Sequence, residues 1–219
     1  MNNDKYYIID FFNIFSDYRE IIYKKENIDF HTIKHENKEK DTFDFFKLFF
    51  TKYIEKVNIK KESVFIFIFK KIHNYENILN SILLLYKEFK IHFIVIEDTY
   101  KDKFLNKNKD DFVCQYIFFM LFKKYKNCIL ISNDRYRDKL DYIKMFNTNI
   151  NLKLIKTLNN SNTILNLESN KKIDSNNANK DNLIISNITI SINQKIIELI
   201  KTKECYRCTI PKNKLSSIL

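Results

Sequence analysis

Glycine is missing altogether from this chain of 219 residues, and Pro211 is its single proline. The first absence excludes glycine-rich phosphate loops, and with them nucleotide-driven chemistry of that kind, because those loops bring bare backbone against a phosphate. It also shifts the tight turns onto asparagine, which tolerates the left-handed region best after glycine. Four cysteines, Cys114, Cys128, Cys205 and Cys208, are too few for a secreted disulfide framework at this length. Cys114 and Cys128 fall inside apolar segments and read as buried thiols in a reducing compartment. Cys205 and Cys208 have the spacing of half a zinc knuckle, but a structural zinc takes four ligands and no second pair accompanies them. His31 and His35 sit in a polar stretch without helical support, His73 and His92 read as packing residues, and no Ser/His/Asp arrangement is present. Long apolar runs are lacking too. VFIFIF and YIFFMLF fall far short of the ~18 residues of a membrane span. The N-terminal stretch has acidic flanks and no small-residue cleavage site, which does not suit a signal peptide. The expectation is a soluble protein of the cytoplasm or another reducing intracellular compartment, with no membrane partner.

With 45% hydrophobic and 30% charged residues, the chain has enough apolar matter for one sizeable core and an appendage. Its excess of Lys, Asn, Ile, Phe and Tyr has the look of an AT-rich genome, such as that of a large DNA virus. A formal net charge of +11 suits a partner with a phosphate backbone. Lysine drift in such a genome would make an ordinary surface equally basic, so the charge needs a site beside it.

Along the chain, residues 6–9 form a β-rich apolar run ending at Asp10, and 24–40 is polar and reads as a loop. Phe43, Phe46, Phe49, Phe50, Tyr53, Ile54 and Val57 recur at helical spacing over 42–57. Residues 64–69 make a continuous apolar run suited to a strand covered on both faces. Then follow a helix over 77–89, a strand over 92–96 closing on Glu97 and Asp98, a basic loop over 100–109 and an apolar helix over 110–125. A strand over 128–132 ends in Asn133 and Asp134, with a helix over 138–146 and a short strand over 152–155 beyond it. This alternation without hairpin signals predicts a three-layer α/β domain with a mainly parallel sheet over residues 1–157. Residues 158–182 read as an Asn/Ser/Lys-rich linker or loop. Residues 183–219 read as a strand–helix appendage that either returns to the sheet or stands apart.

Ligands of open parallel sheets bind beyond the carboxyl ends of the strands, and three of the expected strands end in aspartate: Asp10, Asp98 and Asp134. The pair Asp110–Asp111 opens an expected helix at the same edge, and Asp138 lies one turn past Asp134. Any one of these can cap a helix. As a set they are costly without a cation, because like charges raise one another's pKa. Oxygen-only clusters suit Mg²⁺ or Mn²⁺.

The segments IIDFFNIF, KDDFVCQYIFFML and LISNDRYRD resemble, in that order, the signature stretches of PIN-like NYN ribonucleases, most of all the Regnase-type domain. The likeness covers roughly residues 5–157 and implies a Rossmann-like, metal-dependent endoribonuclease with Asp10, Asp110, Asp111 and Asp134 around Mg²⁺ or Mn²⁺. Within that set, Asp10, Asp111 and Asp134 would hold the ion, while Asp110 and Asp138 hold outer waters or a second ion and Asn13 orients water. Cleavage would leave 5′-phosphate and 3′-hydroxyl ends. Phe11 stands where the family has glycine, which bears on the width of the site, and no CCCH zinc finger follows. Lys101, Lys103, Lys107 and Lys109, with Arg135 and Arg137, would contact the phosphates of single-stranded or stem-loop RNA, and Tyr100 or Phe104 would stack on a base. A PIN-like RNA-binding or assembly module without turnover and a structure-specific DNA nuclease are the alternatives. Pairing of the domain with itself stays open.

Overall fold

The computed structural model describes residues 5–29, 38–70, 75–97, 103–134, 136, 149–157, 183–192, 194–202 and 207–208. Four strands run parallel at the centre of the sheet: β1 (Tyr6–Asp10), β2 (Val64–Lys70), β3 (Lys90–Ile96) and β4 (Cys128–Ile131). Their helices are α1 (Phe11–Lys25), α2 (Lys38–Leu48, prolonged by a π turn and a last helical turn to Lys56), α3 (Tyr75–Leu85) and α4 (Lys103–Tyr125). Beyond them come β5 (Asn149–Thr157), β6 (Leu183–Ser191), α5 (Gln194–Thr202) and the two-residue β7 (Arg207–Cys208). The sheet is ordered β6-β5-β3-β2-β1-β4-β7. The chain therefore moves outward from β1 to β2 to β3, then reverses to place β4 on the other side of β1. Parallel crossovers are right-handed, so this reversal carries α4 to the opposite face from α1, α2 and α3. It also opens a crevice between the carboxyl ends of β1 and β4, where such sheets bind ligands.

Residue parity divides the core accordingly. On β2, Phe65, Phe67 and Phe69 face α1, α2 and α3, whereas Val64, Ile66 and Ile68 face α4 and α5. The first face is rich in aromatic rings, and Phe11 lies among them. Its ring is fully buried, 4.1 Å from Phe69 and 4.8 Å from Phe15, with Phe45 and Phe46 each at 5.5 Å. Phe11 thus does not narrow the crevice. Its side chain fills the layer on the far side of the sheet. A buried polar group joins α1 to α2 through this layer: Arg19 and Tyr23 both donate to Asp41, whose neighbour Thr42 meets the Tyr75 hydroxyl.

Several expectations need correction. Residues 11–23, for which the sequence reading gives no element, lie in α1, which presents Phe11, Ile14, Phe15 and Tyr18 at three-and-four spacing. The loop expected over 24–40 is shortened at both ends by α1 and α2. The basic loop expected over 100–109 is helical from Lys103 onward, because lysine is a good helix former and a polar turn shows no apolar period. The short strand over 152–155 is nine residues long and antiparallel to β3. Its exposed–buried alternation is that of an antiparallel strand with one face turned partly to water. The tail takes the first of its two courses. β6 pairs antiparallel with β5, and Ile196, Ile197 and Ile200 of α5 pack into the α4 layer.

Asparagine does half the work expected of it at turns. Among the described residues, positive φ occurs at Asn27, Asn58, Lys126 and Tyr136. Asn27 and Asn58 close α1 and α2 with paired backbone bonds, from Ile28 N to the Tyr23 carbonyl and from Ile59 N to the Ile54 carbonyl, each at 2.9 Å.

Candidate metal centre

Asp10 ends β1 on the face turned toward α4, and the register sets Ile9 beside Ile131, so Ser132 follows directly opposite Asp10. The Asp10 carboxylate makes no capping bond to α1, although the backbone N–H of Asn13 lies close enough to favour its charged form. Instead its Oδ2 accepts from the Ser132 hydroxyl at 2.9 Å and from the Tyr136 hydroxyl at 3.0 Å. Both donors lie on one oxygen, which leaves Oδ1 for another partner. Asp110 and Asp111 descend from α4. With seven residues of helix before Asp110, neither aspartate caps the helix, and both occupy interior positions that aspartate disfavours.

One carboxylate oxygen from each of Asp10, Asp110 and Asp111 falls within a set no more than 4.8 Å across. Oxygens about an octahedral Mg²⁺ at about 2.1 Å lie roughly 2.9 Å apart when adjacent and about 4.2 Å when opposite. The set is close to those spacings. Asp110 adds a second sign: its Oδ2 meets Lys70 Nζ at 2.8 Å, while its Oδ1 is buried with no hydrogen-bond partner in the structure. An orphaned buried carboxylate oxygen costs about 1–3 kcal/mol or more. A hard cation would satisfy it, and an all-oxygen donor set suits Mg²⁺ or Mn²⁺ better than zinc.

The electrostatics agree. Burial, then the charge of Asp110, pushes Asp10 up to about 7, against the pull of its bonds from Ser132 and Tyr136. Burial again leads for Asp111, followed by Asp110, Asp10 and Asp134, and raises it to about 8 against the opposing charge of Lys70. Cys114, one turn below on α4, is held as a thiol well above its usual range by burial and by Asp10, Asp110 and Asp111.

The turn after β4 is tied down by α1. Asn13 Oδ1 accepts from Asn133 N at 2.6 Å and lies 3.3 Å from the Ser132 hydroxyl, and Asp17 accepts from the Asn133 amide at 2.7 Å. Asn13 Oδ1 is therefore engaged in holding the turn. Asp134 N donates to Ser132 Oγ, and Asp134 Oδ1 accepts from Tyr136 N at 2.7 Å, which bends the chain back so that the Tyr136 hydroxyl reaches Asp10. Tyr136 holds φ at 47°. A tyrosine there costs about 1–3 kcal/mol and persists only where its surroundings impose it.

No family model, curated protein or solved structure matches this chain. The site rests on its own geometry. Of the residues expected at it, Asp10, Asp110 and Asp111 form the tight group, with Asp110 inside it rather than in an outer position. Asp134 stands beside that group, near enough to raise Asp111, with one oxygen committed to the turn. Lys109 is buried on α4 rather than displayed on a loop. Lys103 and Lys107 lie on the first two turns of α4. Asp98, Tyr100, Lys101, Arg135, Arg137, Asp138, Cys205 and the helix expected over 138–146 lie outside the described residues. His92 is buried in β3 and its pKa is lowered to about 3, as a packing residue requires. Among the described residues, no helix is long and apolar enough to cross a membrane.

Three contributors were missed. Ser132 and Tyr136 belonged to the quoted motif but carried no assigned role. Lys70 had a legible signal: it extends the even-numbered face of β2 two residues past Ile68, which pairs with Asp10.

Proposed function

We propose that this protein is a metal-dependent endoribonuclease of the PIN-like NYN type, cutting RNA in the crevice between β1 and β4. The observation that carries the reading is the meeting of Asp10, Asp110 and Asp111 at the reversal of the sheet, with the Asp110 Oδ1 buried and unsatisfied. The order of the acidic segments along the chain, which resembles that family, supports it.

Asp10, Asp110 and Asp111 would hold the ion. A bound Mg²⁺ or Mn²⁺ supplies an acidified water and positive charge for the phosphate oxygens. Ser132 and Tyr136 fix the rotamer of Asp10 by taking both bonds on Oδ2. The three carboxylates are pre-positioned by β1 and α4, so little reorganisation accompanies ion entry. Asp134, less deeply set, is placed to steer water at the rim. Lysines of the first turns of α4 would carry the RNA backbone past this edge, as point charges for its phosphates.

The test is cleavage of labelled single-stranded RNA, with matched DNA beside it, in Mn²⁺ or Mg²⁺ against chelator. Metal-dependent cutting of RNA that disappears in Asp10→Asn and Asp134→Asn, with 5′-phosphate products, supports the proposal. A 2′,3′-cyclic phosphate end excludes the metal-activated water. Binding without cutting by a folded wild type would make the chain an RNA-binding module, and cutting confined to DNA a DNA nuclease.

A further inference from the structure

We infer that Lys70 is an exchangeable cation of this site, neutralising Asp110 while the carboxylates are free of metal and turning to a phosphate oxygen of the bound strand once they hold an ion. The inference rests on the reading of the site as a metal-dependent nuclease.

Lys70 is the last residue of β2, on the strand beside β1, and shares the face that carries Asp10. Its ammonium meets Asp110 Oδ2 at 2.8 Å. The two partners differ in setting: the Lys70 side chain is 33% exposed and that of Asp110 only 7%. Lysine therefore reaches inward from the mouth of the crevice to a carboxylate that cannot itself reach water. Its charge is also felt by Asp111, where it opposes the three surrounding aspartates.

The free oxygen of the same carboxylate, Asp110 Oδ1, has no partner. An ion taken there shares the carboxylate with the ammonium, and two cations on one anion repel. Lysine can yield where the carboxylates cannot, because its charge sits on a flexible four-carbon stem with three rotatable donors. Its stem emerges at the mouth, on the edge where a strand must pass to reach the ion. The anion waiting there is the phosphodiester. Departure of the ammonium from Asp110 is therefore coupled to arrival of metal and phosphate together, which makes the crevice take its ion more readily with nucleic acid than without.

The variant Lys70→Met keeps the stem and removes the charge; Lys70→Gln serves as a second variant, and thermal melting establishes that each is folded. Mn²⁺ binding is measured by calorimetry on the whole protein without nucleic acid. Both variants are expected to bind Mn²⁺ about tenfold more tightly than wild type, the scale on which outer partners alter metal affinity. A single-stranded oligonucleotide is then titrated with Ca²⁺ replacing Mg²⁺ to suppress cutting. Weaker binding, with a salt slope smaller by about one unit, is expected of a lost phosphate contact. Unchanged or weaker Mn²⁺ binding in both variants overturns the competition, and an unchanged oligonucleotide slope overturns the phosphate contact. A wild type that binds no Mn²⁺ sinks the metal reading itself, whereas Mn²⁺ binding that is indifferent to Lys70 sinks only this inference.

Discussion

Replacing Asp111 with asparagine should make the metal-free protein more stable while removing its response to metal. The carboxylate oxygens of Asp10, Asp110 and Asp111 lie within 4.8 Å of one another. At an effective dielectric near 20, two unit charges at that separation repel by roughly 3 kcal/mol. The neutral amide removes that repulsion and forfeits the attraction of Lys70, so a net gain of about 1–3 kcal/mol is expected at pH 9 in chelator. For a domain of this size each kcal/mol moves Tm by about 2–4 °C, and the variant should melt about 3–10 °C above wild type. The gain depends on pH in a defined direction. Asp111 is raised to about 8 and Asp10 to about 7, so the native state binds more protons than the unfolded chain between those values and the ordinary carboxylate range. The wild type therefore carries its full penalty above about pH 8 and sheds it progressively as pH falls from about 8 toward the ordinary carboxylate range near 4. The advantage of Asp111→Asn should be clearly smaller at pH 5.5 than at pH 9 and close only near the ordinary carboxylate range at about pH 4. Saturating Mn²⁺ reverses the ranking: at a hundred times Kd the wild type gains about 2.7 kcal/mol, and the variant gains little. Melting curves at pH 5.5, 7 and 9, each with chelator and with Mn²⁺, measure all of this. A variant that melts below wild type in chelator at pH 9, or that keeps the full Mn²⁺ shift, refutes the reasoning.

Phe11→Gly, the change toward the family's glycine, should lose at least about 3–5 kcal/mol of stability and gain no cleavage rate, because the ring lies in the aromatic layer rather than over the carboxylates. Denaturant melts and cleavage assays on the same preparation check both halves, and a faster enzyme would place the ring at the site. Asp41→Ala should cost about 3–5 kcal/mol in urea unfolding, since it removes the carboxylate paired with the buried Arg19; a loss below about 1 kcal/mol would mean that the remaining surroundings of the guanidinium suffice for its charge. Tyr136→Phe deletes one of two donors to Asp10 Oδ2. It should weaken Mn²⁺ binding about tenfold while changing Tm by only a few degrees, and an unaltered Mn²⁺ isotherm would remove Tyr136 from the support of Asp10.

What the chain disclosed in advance followed from where periodicity is strong. The buried strands read clearly because Val64–Lys70 and Lys90–Ile96 are continuous apolar runs, and the aspartates closing β1 and following β4 were visible from those strand ends alone. The start of α4 was hidden, since its first two turns are lysine- and asparagine-rich and show no apolar face. That hid in turn the interior setting of Asp110 and Asp111, which matters because a cap would have explained them without a metal. α1 is less legible than the strands, because its apolar run is broken by Asn13, Ser16, Asp17, Arg19 and Glu20. The inward turn of Phe11 needed the register of β2 as well, as Phe69 on that strand forms its closest ring contact.

The two layers bear differently on the site. Against α1, α2 and α3 the sheet is packed with fully buried aromatic rings, among them Phe11, Phe45, Phe46, Phe65, Phe67, Phe69 and Phe93. Each buries on the order of 150–250 Å², and the layer carries no part of the carboxylate cluster. Against α4 the packing is interrupted at its carboxyl end by Asp10, Asp110 and Asp111, two of them with raised pKa. A fold that gathers like charges into its interior must offset them elsewhere, and here the offset lies across the sheet, one residue away in sequence. Asp10 and Phe11 are consecutive, with the carboxylate turned to one layer and the ring to the other. The strand-to-helix junction thereby anchors the site through the aromatic side while holding Asp10 at the carboxylate cluster. Glycine at position 11 would leave that anchor out, so in this chain the phenylalanine is part of how the site is held.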